Sequence, residues 1–71
     1  MQIKNITKAE AIVMLRKQGL EVVLWGTCRI WNNKYQAIIC DYTSAHGYTP
    51  LYAVALYSDC GRLLARFNVT P

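Results

Sequence analysis

Carboxylates are scarce in this chain. Of 71 residues only Glu10, Glu21, Asp41 and Asp59 are acidic, against eight Lys and Arg. Four scattered acids leave no paired-carboxylate site of the kind glycoside hydrolysis needs. Histidine occurs once, at His46, and neither Asp41 nor Asp59 has the spacing to build a Ser-His-Asp arrangement around it. Gly19, Gly26, Gly47 and Gly61 are too dispersed for a phosphate-cradling loop. No apolar run approaches the roughly 18 residues that span a bilayer. Met1-Gln2-Ile3-Lys4-Asn5 lacks the apolar segment of a signal peptide. A cytoplasmic chain without membrane contact is expected.

Three cysteines cannot all pair within one chain, which excludes a disulfide-stapled miniprotein. With His46 they read C-x11-C-x5-H-x13-C, which contains no C-x2-C knuckle. No metal and no cofactor are expected. Cys28 and Cys40 read as small buried hydrophobes, and Cys60 as an exposed turn residue.

Apolar residues make up 54% of the chain and charged ones 17%, a balance that disordered segments do not have. The length suits one small α+β domain, residues 1–71, which buries only about 60% of its unfolded surface. Two Trp, five Tyr and one Phe are more than so small a core seats comfortably. Some are expected at a partner or homodimer interface. The net charge of +4 is spread along the chain, as solubility alone would require.

Thr7-Lys8-Ala9-Glu10 has the capping-box form. Arg16 and Lys17 suit the negative end of a helix, and Gly19 suits the left-handed position just past it, with Leu20 folding back on Leu15. A helix over 8–18 follows, with Ala11, Ile12 and Leu15 as its apolar stripe. Strands are expected at 20–25, 28–31, 34–42, 51–57 and 62–69. Thr49-Pro50 also reads as a helix start with Gly61 as its stop, but Tyr52, Val54 and Tyr57 favour strand over 50–60. The expected fold is α+β, an N-terminal helix packed on one face of a four- to five-stranded antiparallel β-meander.

A two-residue loop at Asn32-Asn33 sets Trp31 opposite Lys34 and Arg29 opposite Gln36. Asp59-Cys60-Gly61 sets Tyr57 opposite Leu63 and Val54 opposite Arg66. The inner face is then Leu51, Ala53, Ala55, Tyr57, Leu63, Ala65, Phe67 and Val69, with the helix lying over the alanines. The outer face carries Tyr52, Val54, Leu56, Arg62, Leu64, Arg66 and Asn68. Aromatic, aliphatic and guanidinium groups together make recognition surfaces. The expected partner-binding residues are therefore Arg29, Trp31, Lys34, Tyr52, Arg62, Leu64 and Arg66.

The reading that follows is a non-catalytic binding or modulator protein, not an enzyme. It would dock on a larger protein or nucleoprotein, in an accessory or inhibitor-type role such as mobile elements carry. One alternative is a nucleic-acid-binding module that stacks bases on the aromatic and arginine face. A second is a small ribonuclease with His46 as general base. In layout, residues 11–31 resemble small messenger-RNA-cleaving toxins: helix, Gly19, strand, then Gly26-Thr27-Cys28-Arg29-Ile30-Trp31. Cys28 or Arg29 stands where that pattern carries its histidine, so the resemblance implies the layout without the chemistry.

Overall fold

Thr7 begins the helix as its neighbours dictate. In the computed structural model, which describes residues 4–45 and 47–70, helix α1 spans Lys8–Lys17. The Thr7 hydroxyl accepts from the Glu10 amide at 3.2 Å, and the Glu10 carboxylate accepts from the Thr7 amide at 3.3 Å. Two first-turn donors are thereby satisfied reciprocally. At the other end Gly19 takes φ +74°. Its amide donates to the Arg16 carbonyl at 2.9 Å, and the Leu20 amide to the Leu15 carbonyl at 3.0 Å, the paired bonds of a Schellman ending. Leu20 is buried beside Leu15, as expected.

The strands are β1 (Lys4–Thr7), β2 (Cys28–Trp31), β3 (Tyr35–Asp41), β4 (Tyr52–Ser58) and β5 (Leu63–Thr70). They form one sheet in the order β1-β5-β4-β3-β2. Three neighbouring pairs are antiparallel, but β1 lies parallel to β5, with Ile6 beside Val69. The sheet is therefore mixed, and the purely antiparallel meander is corrected at this edge. β1 comes from residues that carry no strong strand pattern. Residues 52–58 are strand, which decides against a second helix.

The strand expected at 20–25 does not form. These residues run as irregular chain from the helix end toward β2. Leu20 is buried, and Val22 and Trp25 pack on the core, with the Trp25 ring 5.4 Å from that of Tyr52. Val23 and Leu24 point outward at 88% and 75% exposure. Three apolar anchors, at 20, 22 and 25, draw the segment across one sheet face, which leaves its backbone off the ladder. The toxin-like layout loses its first strand here.

Both hairpin registers differ from expectation. In the first, the turn centres on Asn33-Lys34, closed by the Asn32 amide donating to the Tyr35 carbonyl at 2.9 Å. Trp31 therefore opposes Gln36 and Arg29 opposes Ile38. This is a two-residue slip, which preserves which side chains share a face. In the second, Tyr57 opposes Leu63 as expected, but the next pair is Leu56 with Ala65. Leu64 is the extra residue of a β-bulge. From there every β4 residue pairs one position away from expectation, and Val54 meets Phe67 instead of Arg66.

The core face consequently carries Ile6, Ala37, Ile39, Tyr52, Val54, Leu56, Phe67 and Val69, closed by Ala11 and Leu15 of α1 and by Leu20. Burying it supplies most of the stabilisation, since each large side chain withdrawn from water contributes about 1.5–3 kcal/mol. Tyr52, Val54 and Leu56 belong to this core, which corrects their expected outer placement. Ala53 and Ala55 lie on the opposite face, so the helix does not sit over them; Ala65 borders the core.

Candidate interaction surface

Because side chains alternate across a strand, the face opposite the helix follows from the register. Two rows cross its middle. Arg29, Ile38, Ala55 and Arg66 are cross-strand neighbours from β2 to β5, and so are Trp31, Gln36, Tyr57 and Leu63. A third row holds Cys40, Ala53, Asn68 and Asn5. None of these strand positions carries a carboxylate.

No described element covers this face. Trp31 is 66% exposed, and Ile38, Leu63 and Arg66 are exposed with it. Where Ala53 and Ala55 withhold side-chain bulk, the face dips. A shallow depression of about 330 Å³ lies there, walled by Ile38, Cys40, Tyr42, Tyr57, Leu63 and Arg66. At the β2 side the Arg29 guanidinium sits 5.0 Å from the Trp31 ring centroid, a cation–π contact that orients both groups. Arg29 and Arg66 end the same row, about 14 Å apart at three interstrand spacings.

The expected contact residues separate on this geometry. Arg29, Trp31 and Arg66 share the open face. Lys34 is exposed in the first hairpin turn, where its amide donates to the Asn32 carboxamide oxygen at 2.8 Å. Arg62 is exposed in the second turn, its amide donating to the Ser58 hydroxyl at 3.1 Å. Leu64, the bulge residue, turns to the helix side and lines a groove with Met14, Leu15 and Tyr35. Tyr52 is buried at 8% exposure, beneath Lys8 and against Trp25, and is removed from the exposed set. Sequence reasoning missed Ile38, Ala53, Ala55, Tyr57 and Leu63 as members of this surface. The signal lay in bulk: Tyr52, Val54 and Leu56 are large where Ala53 and Ala55 are small, and only large residues fill a core.

His46 lies outside the described residues. Among the described residues no cluster of three or more His, Cys, Asp or Glu could hold a metal ion. No helix among them is long and apolar enough to cross a membrane. Cys60 is exposed in its turn, while Cys28 and Cys40 are half-buried. At the end of β3 the Thr43 side chain and amide both hydrogen-bond the Asp41 carboxylate, the amide at 2.9 Å, and hold its pKa below the ordinary value of 3.8.

Fold and surface together define a small α+β protein, a mixed five-stranded sheet with a helix on one face and the other left uncovered by the described residues. No protein-family model matches the chain, and no curated protein or solved structure matches it significantly.

Proposed function

We propose that the protein is a non-catalytic binding module that docks a larger protein on its open sheet face. One observation carries this reading: a face that no described element covers, where Trp31, Ile38 and Leu63 stay exposed, Arg29 and Arg66 are the charged residues of the described strand rows, and Asp59 of the second turn borders one corner beside Arg29 and Trp31. Exposed apolar area edged by guanidinium groups is the composition of interface centres. The excess of arginine over carboxylate along its strand rows favours an acidic partner surface, because arginine pairs carboxylates with two parallel hydrogen bonds. The binding step is occupancy of the partner's surface.

The test compares three immobilised forms: wild type, Arg66→Glu and Lys17→Glu. Lys17 lies on the helix side, so its variant controls for net charge. A host protein retained by wild type and by Lys17→Glu, and lost with Arg66→Glu, supports the reading. Identical retention by all three overturns it. Nucleic acid is the competing ligand on the same cationic face. A single-stranded RNA oligonucleotide titrated against salt decides between them, because phosphate contacts weaken steeply with log salt. Tight, salt-sensitive RNA binding would replace the protein partner.

A further inference from the structure

The outer edge of β2 has backbone groups without partners. In an antiparallel ladder, hydrogen-bonded and non-hydrogen-bonded pairs alternate. The bond from the Asn32 amide to the Tyr35 carbonyl sets the phase. Ile30 and Cys28 therefore turn their amides and carbonyls toward β3. Arg29 and Trp31 turn theirs outward, and no backbone bond beyond the strand ladder reaches them among the described residues. An uncovered edge of this kind is a template for another strand.

The chain of residues 19–25, which passes beside that edge, makes no backbone hydrogen bond to it among the described residues. On its core side lies a shallow groove of about 360 Å³, lined by Gly19, Leu20, Glu21, Arg29, Ile30 and Trp31. Sequence and register then narrow the occupant. A strand that adds to β2 must present alternate residues to the open face, matched to Arg29 and Trp31. β2 itself does so when turned about a two-fold axis.

We propose that two copies of the chain pair antiparallel along β2, with Ile30 on the two-fold axis. Symmetry permits few registers. Pairing must keep open-face residues opposite open-face residues, so either Arg29 meets its own copy, Trp31 meets its own copy, or each meets the other. The first sets two guanidinium groups against each other. The second carries Arg29 past the strand end, opposite the turn residue Asn33. The third places Arg29 opposite the partner's Trp31 and Trp31 opposite the partner's Arg29. It forms four backbone hydrogen bonds from the outward groups, and Ile30 meets the partner's Ile30 over the groove. The cation–π contact present in one chain becomes a cluster of two arginines and two tryptophans. The product is a continuous ten-stranded sheet whose open faces join. This assignment does not rest on the open face binding another protein.

Sedimentation equilibrium and amide hydrogen exchange test it on the intact chain. Wild type is expected to be dimeric at micromolar to millimolar concentration. The Arg29 and Trp31 amides should gain protection as concentration rises, while the Ile30 amide is protected throughout. Trp31→Lys opposes two cations and should weaken the dimer by about tenfold or more. Trp31→Glu replaces each cation–π contact by a cross-strand ion pair. It should stay dimeric at low salt and dissociate as salt rises. Circular dichroism establishes that both variants are folded. A monomer at millimolar concentration overturns the proposal. So does a dimer indifferent to Trp31→Lys, or one that leaves the Arg29 and Trp31 amides unprotected.

Discussion

Asn32 is the residue on which the first hairpin and the helix end meet. Its Nδ2 donates to the Gln18 carbonyl at 2.8 Å, and its Oδ1 accepts from the Lys34 and Tyr35 amides at 2.8 Å each. Three bonds from one exposed side chain join a helix terminus to a turn 14 residues away in sequence. Asn32→Ala should cost about 2 kcal/mol in urea unfolding, since each bond contributes about 0.5–1.5 kcal/mol net. Gly19 is coupled to it. A Cβ there would lie 2.9 Å from Asn32 Nδ2, on a backbone already at φ +74°. Gly19→Ala should cost about 2 kcal/mol in wild type and nearer 1 kcal/mol in the Asn32→Ala background, where only the left-handed backbone penalty remains. A double-mutant cycle reads the difference. Asp41 gives a pH dependence. Its folded pKa is lowered by the Thr43 bonds, so its stabilisation is fully present above the ordinary value of 3.8. It is lost as pH falls through the lowered value. Asp41→Asn should flatten that acid limb in denaturation curves taken below about pH 4 and lower stability in the neutral range, where the charge-assisted part of the Thr43 bonds is lost.

Among the elements, the helix was the most legible in sequence, because its start, stop and stripe are all local: Thr7 with Glu10, Gly19 with Leu20, Ala11 with Leu15. Hairpins were half legible. Turn chemistry places the first hairpin within one residue, and a two-residue slip leaves Arg29 and Trp31 together on one face. The second turn sets Tyr57 against Leu63 correctly, yet the bulge at Leu64 shifts every pair that follows. On β5 the core residues Ala65, Phe67 and Val69 match the reading from the turn. On β4 they are the opposite set, Tyr52, Val54 and Leu56. Two bulky apolar sets that fall out of phase across one turn require an extra residue between them. That phase conflict is present in the sequence, and the bulge at Leu64 settles it in favour of the large residues over Ala53 and Ala55. The segment 20–25 shows the opposite failure. Leu-Glu-Val-Val-Leu-Trp has strong strand propensity, but anchoring by Leu20, Val22 and Trp25 overrides it. Val23→Lys and Leu24→Lys should each change stability by no more than about 0.5 kcal/mol. Trp25→Ala should cost about 2 kcal/mol, because the ring packs on Tyr52. Thermal unfolding of the three variants distinguishes this from a paired strand, in which all three would matter.

At the scale of the whole molecule, one face of the sheet sustains the fold and the other is left uncovered by the described residues. Arg66→Glu should leave the melting temperature nearly unchanged, within about 0.5 kcal/mol, since no described group depends on its charge. A loss of several kcal/mol in calorimetry would instead make that face part of the structural core. The candidate surface was legible only in part, because which face a residue occupies depends on long-range register while its chemistry does not. The parallel pairing of β1 with β5 was invisible locally: Ile6 and Val69 are joined by topology, not by any nearby signal. That pairing also orders events in time. As the chain leaves the ribosome, β1 and the helix emerge first, yet the strand beside β1 emerges last. Until Phe67 and Val69 are synthesised, β1 has no strand to pair with, and Ala11 and Leu15 lack part of the sheet face they cover. The nascent chain therefore cannot complete its fold progressively from the front, and a copy stalled before β5 would leave β1 unpaired and its apolar helix face only partly covered.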